Sequence, residues 1–166
     1  MPSASSFDIT STIDFQEVDN ALNQARKEVG QRYDFKGAIA QIDLNASDKT
    51  LTLTASDEMK MNALWEIVQT RLVRRGVPVK NFKAGDPEPA AGGTLRRVIE
   101  IQQGIPIEAA REIVKFIKDK KLKRVQAAIQ ADQVRVSSPS KDELQEAIKS
   151  LREQDFGVSL HFGNYR

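Results

Sequence analysis

The chain contains no cysteine, which removes disulfides, thiolate nucleophiles and any thiolate-held zinc or iron–sulfur site in one step. Redox chemistry would need a bound cofactor, and no cofactor is expected. No apolar run approaches the ~20 residues that span a bilayer, so no membrane partner is expected. The N-terminus, Met1-Pro2-Ser3-Ala4-Ser5-Ser6, has neither the basic nor the apolar segment of a secretory signal, and the expected location is the cytoplasm. Charge of one sign is also scarce. A net charge of +2 does not by itself establish nucleic-acid binding, although an isoelectric point near 8.9 leans toward anionic partners. The only histidine, His161, sits on a terminal strand with outward parity and has no evident partner. No Walker-type glycine loop, nucleophile elbow or metal-ligand cluster is readable, so neither catalytic residues nor metal ligands are expected and the chain reads as a non-enzyme.

What the chain does have is one plan written twice. Each half reads strand, helix, strand, strand, helix, strand, the order of a split βαββαβ or ferredoxin-like unit, in which two helices cover one face of an antiparallel sheet. The expectation is α+β: a first repeat over residues 1–82, a linker over 83–93 rich in Gly, Pro and Ala, and a second repeat over 94–166. In the first repeat, residues 7–13 alternate as a half-buried strand. Asp14 with Glu17 makes a capping-box-like start to a helix whose apolar stripe is Phe15, Val18, Leu22, Ala25 and Val29, with Gly30 as its stop. Ala40, Ile42 and Leu44 pair with Leu51 and Leu53 across a turn at Asn45-Ala46-Ser47-Asp48, leaving Thr50, Thr52 and Thr54 outward. Ser56 is read as the cap of a second helix ending at Arg74-Arg75-Gly76, followed by a strand over 77–82.

The second repeat follows suit. It has a strand over 94–101, Pro106 at a helix start, a stripe of Ile107, Ala110, Val114 and Ile117, and a hairpin turning at Ala131-Asp132. Ser140 with Glu143 opens the last helix, which stops at Gly157 before Val158, Leu160 and Phe162. The 11-residue linker spans at most roughly 36–40 Å, enough to carry a strand from one unit to the other, so the strands over 7–13 and 94–101 can be exchanged.

Three segments could carry chemistry. In Gln31-Arg32-Tyr33-Asp34-Phe35-Lys36-Gly37, Arg32 and Lys36 suit a phosphate and Tyr33 suits stacking on a base. The plain alternative is a strand entry with Phe35 in the core and the rest solvated. The run from Lys115 to Arg124 is the densest positive patch, with Lys118, Lys121, Lys123 and Arg124 able to neutralise phosphates, or simply to complement the end of a helix. Because it stands at the same place in its repeat as Arg32 and Lys36 do in theirs, a pseudo-twofold arrangement would bring both toward one ligand. Gly104, in Gln103-Gly104-Ile105-Pro106, joins a strand to a helix N-terminus of the kind that suits anions, and Arg135 adds an outward cation on a sheet that lacks stacking aromatics.

With Arg32-Tyr33-Asp34-Phe35-Lys36-Gly37, Leu51-Thr52-Leu53-Thr54-Ala55, Val73-Arg74-Arg75-Gly76-Val77, Gly92-Gly93-Thr94, Ile117-Lys118-Asp119 and Gln130-Ala131-Asp132-Gln133-Val134-Arg135-Val136 in view, the chain resembles the YajQ family from Phe7 to its last residue. The resemblance implies two ferredoxin-like domains with exchanged N-terminal strands and a nucleotide- or nucleic-acid-binding role without enzymatic activity. Members have been linked to cyclic di-GMP sensing with transcriptional co-regulation, and to RNA or purine nucleotides. The chain departs from the family at Ser137-Ser138-Pro139-Ser140-Lys141, where the usual pattern is Thr-Gly-Lys with further cations, and Lys141 is the remaining cation. The expected ligand is a phosphate-bearing purine, cyclic di-GMP or a GTP-like nucleotide, with a transcription regulator as a possible downstream partner. RNA binding through backbone phosphates, a nucleotide hydrolase or transferase, and a protein–protein adaptor are the rival readings.

Overall fold

The structure is a computed structural model that describes residues 4–120, 122 and 124–166; Lys121 and Lys123 therefore lie outside the described residues. Those described form an α+β architecture of four α-helices and two antiparallel sheets. The chain divides into two compact units, residues 13–102 and the remainder on both sides of it. Among the described residues, no helix is long and apolar enough to cross a membrane.

The unit of residues 13–102 begins with α1 (Phe15–Gln31), whose first turn is capped by Asp14: Gln16 and Glu17 donate their backbone N–H groups to its carboxylate at 3.0 and 3.4 Å. Strands β2 (Ala40–Asn45) and β3 (Thr50–Ala55) form a hairpin, and α2 (Glu58–Arg74) follows. After it come the short strands β4 (Phe82–Ala84) and β5 (Glu88–Pro89), and then β6 (Leu95–Ile101). The sheet order is β2-β3-β6-β4, with β5 also paired to β6. Period-two alternation settles the faces: Leu51, Leu53 and Ala55 are buried, whereas Thr50, Thr52 and Thr54 are half-exposed. Val18 and Leu22 of α1 and Leu64, Val68 and Leu72 of α2 join them in one core with Ile99 and Ile101, so both helices lie on the same face of the sheet. Burying each such side chain contributes about 1.5–3 kcal/mol.

The other unit begins with β1 (Ser5–Thr10) and continues with α3 (Ile107–Asp119), β7 (Gln126–Gln130), β8 (Gln133–Ser138), α4 (Lys141–Arg152) and β9 (His161–Gly163). Its sheet order is β7-β8-β1-β9, so β1 is an inner strand between partners that lie more than a hundred residues away in sequence. Phe7 and Ile9 point into the core and are fully buried. Asp8, on the opposite face, is also buried, at 6% exposure. What covers it is a network: Arg135, its register partner on β8, donates through Nε and Nη2 at 2.9 and 3.4 Å, and Asn164 donates at 2.5 Å. These donors hold the Asp8 carboxyl below the usual aspartate range, Arg135 first and Asn164 second, and that outweighs the upward push of burial.

Several boundaries differ from the sequence expectation, each for a local reason. The first strand covers Ser5–Thr10 rather than 7–13, and Ile13 is buried instead in the core of the other unit. Helix α1 runs through Gly30, whose φ is not left-handed, and stops at Arg32, where the backbone turns extended. Asp57, not Ser56, caps α2, accepting from the Lys60 N–H at 2.8 Å. Ser56 is engaged elsewhere, its hydroxyl accepting from the Ile39 N–H at 2.6 Å. The strand expected over 77–82 is a 3-10 turn at Val79–Asn81 followed by β4. Pro78 has no N–H for a ladder, and pairing begins only at the buried Asn81, whose carbonyl accepts from Gln102 at 2.7 Å. The segment 83–93 is ordered in part against β6, through Lys83, Ala84, Glu88 and Pro89.

Because Asp8 titrates lower in the folded chain than in the unfolded one, its network contributes stability that is present above the unfolded value and is lost as the pH falls through the folded value. Asp8→Asn is expected to lower stability at neutral pH and to flatten the loss of stability below about pH 4. Urea unfolding across an acid series checks this; parallel pH profiles for the two proteins would contradict it.

Candidate functional site

The segment after α1 is shaped by one buried ring. Tyr33–Phe35 forms a single 3-10 turn with Phe35 inward at 5% exposure, and the turn's geometry throws Tyr33 outward, 87% exposed. Arg32 lies with its guanidinium 5.5 Å from the Phe35 ring centre, and the ammonium of Lys60, from α2, lies 5.6 Å from the same ring. Lys60 also donates to the Asp34 carbonyl, which ties α2 to the turn. Gly37, at φ 77°, reverses the chain into β2 in a left-handed conformation that glycine adopts without strain.

The result is a groove of about 500 Å³ whose walls include Arg32, Tyr33, Phe35, Lys36 and Gly37. Its electrostatics are mixed. Arg32 forks onto the Asp34 carboxylate at 2.9 and 2.7 Å, and Glu28 stands 3.6 Å from Nη1. The fork holds the Asp34 carboxyl below its ordinary range and raises the Arg32 guanidinium. Glu28 is shared with Arg71 of α2 at 2.8 Å. Lys36 is exposed and makes no ion pair among the described residues. Lys60 and the neutralising role of Asp34 were missed in the sequence reading. Lys60 stands 24 residues beyond Lys36, and only the α2 packing brings it near.

The remaining expected site residues lie in the other unit. Lys118, in the last turn of α3, is exposed and lines a smaller groove of about 270 Å³ with Val114, Ile117, Val125, Gln126 and Ala127. Its neighbour Lys120 lies 5.4 Å from the Phe116 ring centre. Arg124 is exposed in a left-handed conformation, φ 67°. Arg135 is not a free cation: its fork is committed to Asp8. Gly104 has a structural reason of its own. Its φ is 85°, its N–H donates to the Ser11 carbonyl at 2.7 Å, and an added Cβ would fall 2.9 Å from Asp132 Cγ and closer still to a carboxylate oxygen. The turn at 137–141 is internally satisfied as well. The Ser140 N–H donates to the Ser138 hydroxyl at 3.0 Å, while the Ser140 hydroxyl caps α4.

Fold and groove together define an α+β protein with an aromatic, cation-bearing surface cleft. The family model described as nucleotide-binding protein, YajQ-like, matches residues 5–166, and the chain belongs to that family. Among its curated relatives, a protein of Carboxydothermus hydrogenoformans is 47% identical over 166 residues, the whole of both chains. One of Solibacter usitatus is 50% identical over 161 residues, 97% of this chain and 96% of its own. Another, of Elusimicrobium minutum, is 45% identical over 161 residues, 97% of this chain and 98% of its own. Each carries the name nucleotide-binding protein and none is named as an enzyme.

Gly104→Ala combines left-handed strain with a clash against Asp132 and is expected to cost about 2 kcal/mol. Adding Asp132→Gly, which removes the clashing Cβ along with the carboxylate, should recover part of that loss, leaving the φ strain. Urea midpoints of the single and double variants test the assignment, and equal midpoints for Gly104→Ala and the parent would refute it.

Proposed function

We propose that the chain binds a phosphate-bearing purine nucleotide, most concretely cyclic di-GMP, in the groove beside α1, without turning it over, and that it acts as a regulatory effector. The observation that carries the reading is Tyr33: a tyrosine ring 87% exposed on the wall of a groove that also holds an unpaired lysine and an arginine fork. A large aromatic left in water beside cations suits a base on its face and a phosphate at its edge, and the volume falls in the range of small-molecule sites. The names of the relatives support the same ligand class.

The chemistry follows from the donors. Lys36 meets the phosphate as a point charge. Arg32 offers a planar fork that suits two phosphate oxygens, at the cost of releasing Asp34. Tyr33 closes over the base. Lys118 and Arg124 are exposed cations of the other unit, able to hold phosphate on their own account.

We also infer that each unit is a ferredoxin-like fold that has exchanged its first strand. The strand orders support this: β9-β1-β8-β7 and β4-β6-β3-β2 follow one scheme, with β6 taking the place in its sheet that β1 takes in the other.

Calorimetric titration with cyclic di-GMP, GTP and a short RNA at two ionic strengths tests the function. Tyr33→Ala is expected to weaken nucleotide binding about 10- to 100-fold, in line with the ~1–3 kcal/mol of a base stack, and Lys36→Glu to weaken it further. A log–log salt slope near −0.7 per phosphate contacted, with RNA as the tighter ligand, would instead assign the cations to an RNA backbone. Binding unchanged in both variants would overturn the groove.

A further inference from the structure

The two sheets have equivalent edges that are treated in opposite ways. In the sheet of residues 13–102 the outer strand is β2. Ser56 donates its N–H to the Ile39 carbonyl, which makes 39 and 56 a hydrogen-bonded pair, and alternation along an antiparallel ladder then turns the carbonyl of Ile42 outward. Arg26 of α1 covers that carbonyl, donating through Nε and Nη2 at 3.2 and 2.7 Å, and Asp43 adds a charge to the same strand. The edge is blocked against further pairing.

In the other sheet the outer strand is β7, Gln126-Ala127-Ala128-Ile129-Gln130, with no charge and no proline. It pairs with β8 through a two-residue turn at Ala131 and Asp132, so 130 with 133, 128 with 135 and 126 with 137 are the hydrogen-bonded pairs. The N–H and C=O groups of Ala127 and Ile129 therefore point to the open edge, where no backbone partner among the described residues meets them. Ile129 is 37% exposed. Next to it runs the groove between α3 and β7, about 270 Å³, lined by Val114, Ile117, Val125 and Ala127 together with Lys118 and Gln126.

We propose that this edge is completed by β7 of a second copy of the chain, running antiparallel, with the two-fold axis through Ala128. That register places Ala127 opposite Ile129 of the second copy as a hydrogen-bonded pair, and the symmetric pair completes four new backbone hydrogen bonds. It carries the exposed Ile129 of each copy toward the Val114, Ile117 and Ala127 side of the groove of the other. On the open face Gln126 meets Gln130 of the second copy, and Ala128 meets its own mate. Every row is self-complementary, as a two-fold interface requires. Shifting the register by two residues leaves only three of the 5 residues of β7 paired in each copy, so strand length selects this one. The inference stands independently of the nucleotide reading.

Sedimentation across roughly a hundredfold range of protein concentration tests it. The wild type should rise in mass from 18.5 kDa toward twice that. Ala128→Lys sets two lysines face to face on the axis and should remain a monomer, as should Ala128→Glu, while an equimolar mixture of the two regains the dimer. Residue 128 is exposed, and circular dichroism checks that each variant keeps its fold. Hydrogen exchange of the wild type supplies a measurement that needs no substitution: the Ala127 and Ile129 amides should slow with rising concentration. A wild type that stays monomeric throughout, dimerisation untouched by either substitution, or edge amides that keep exchanging fast in the dimer would each overturn the proposal.

Discussion

Everything in the N- and C-terminal unit depends on seating one strand, Ser5–Thr10, between β8 and β9. An inner strand must satisfy two ladders and two faces together. Phe7 and Ile9 supply the apolar face, and at roughly 1.5–3 kcal/mol each they provide most of the drive to dock. The other face is the difficult one, because Asp8 is carried out of water along with them. A lone buried carboxylate would oppose docking strongly, and the two donors from Arg135 together with Asn164 offset that cost. The pair is therefore better regarded as a condition on register than as a source of net stability. Slipping the strand by one residue would bury Ser6 and Asp8 in the core and leave the Arg135 fork with nothing to hold.

The same economy governs the turn after α1. Phe35 is the only side chain of Tyr33–Phe35 that enters the core, and one anchored ring in a three-residue turn determines where its neighbours go. Tyr33 is exposed because Phe35 is buried, and Arg32 and Lys60 settle near the Phe35 ring as its electrostatic partners. Function, on the reading offered above, is a by-product of that anchoring: the ring that closes the core also holds an arginine and presents a tyrosine.

What was legible in the sequence is what depends on near neighbours. The alternation of Leu51 and Leu53 with Thr50, Thr52 and Thr54, the Asp14 cap and the Ser140 cap all rest on contacts within a few residues, and all stand in the structure as read. What was not legible clusters where a distant residue casts the deciding vote. Ser56 and Asp57 are both competent caps, and the choice between them falls to Ile39, 17 residues back, which takes the serine hydroxyl. Arg135 looked like a free cation because its partner lies 127 residues away across a strand pairing that no local pattern announces. Gly104 looked like an anion turn, and the constraint on it comes from Asp132. The groove was partly legible, since Arg32, Tyr33 and Lys36 stand in one short run, but the approach of Lys60 to the Phe35 ring was not.

Asp34 deserves weight in judging how strongly such a groove can hold an anion. Arg32 is already forked onto it, so a phosphate that recruits the guanidinium exchanges one carboxylate for another anion rather than filling an empty position. The gain from Arg32 is then a difference between two charge-assisted pairs, and at an exposed site each is worth little. Selectivity must arise from what the exchange does not touch: the face of Tyr33 and the charge of Lys36. A ligand with a phosphate and no base would find only Lys36 free, whereas one with both would gain the stack as well. On the function proposed above, that asymmetry would favour nucleotides over inorganic phosphate in this groove, and it would follow from a carboxylate that stands two residues from the arginine it restrains.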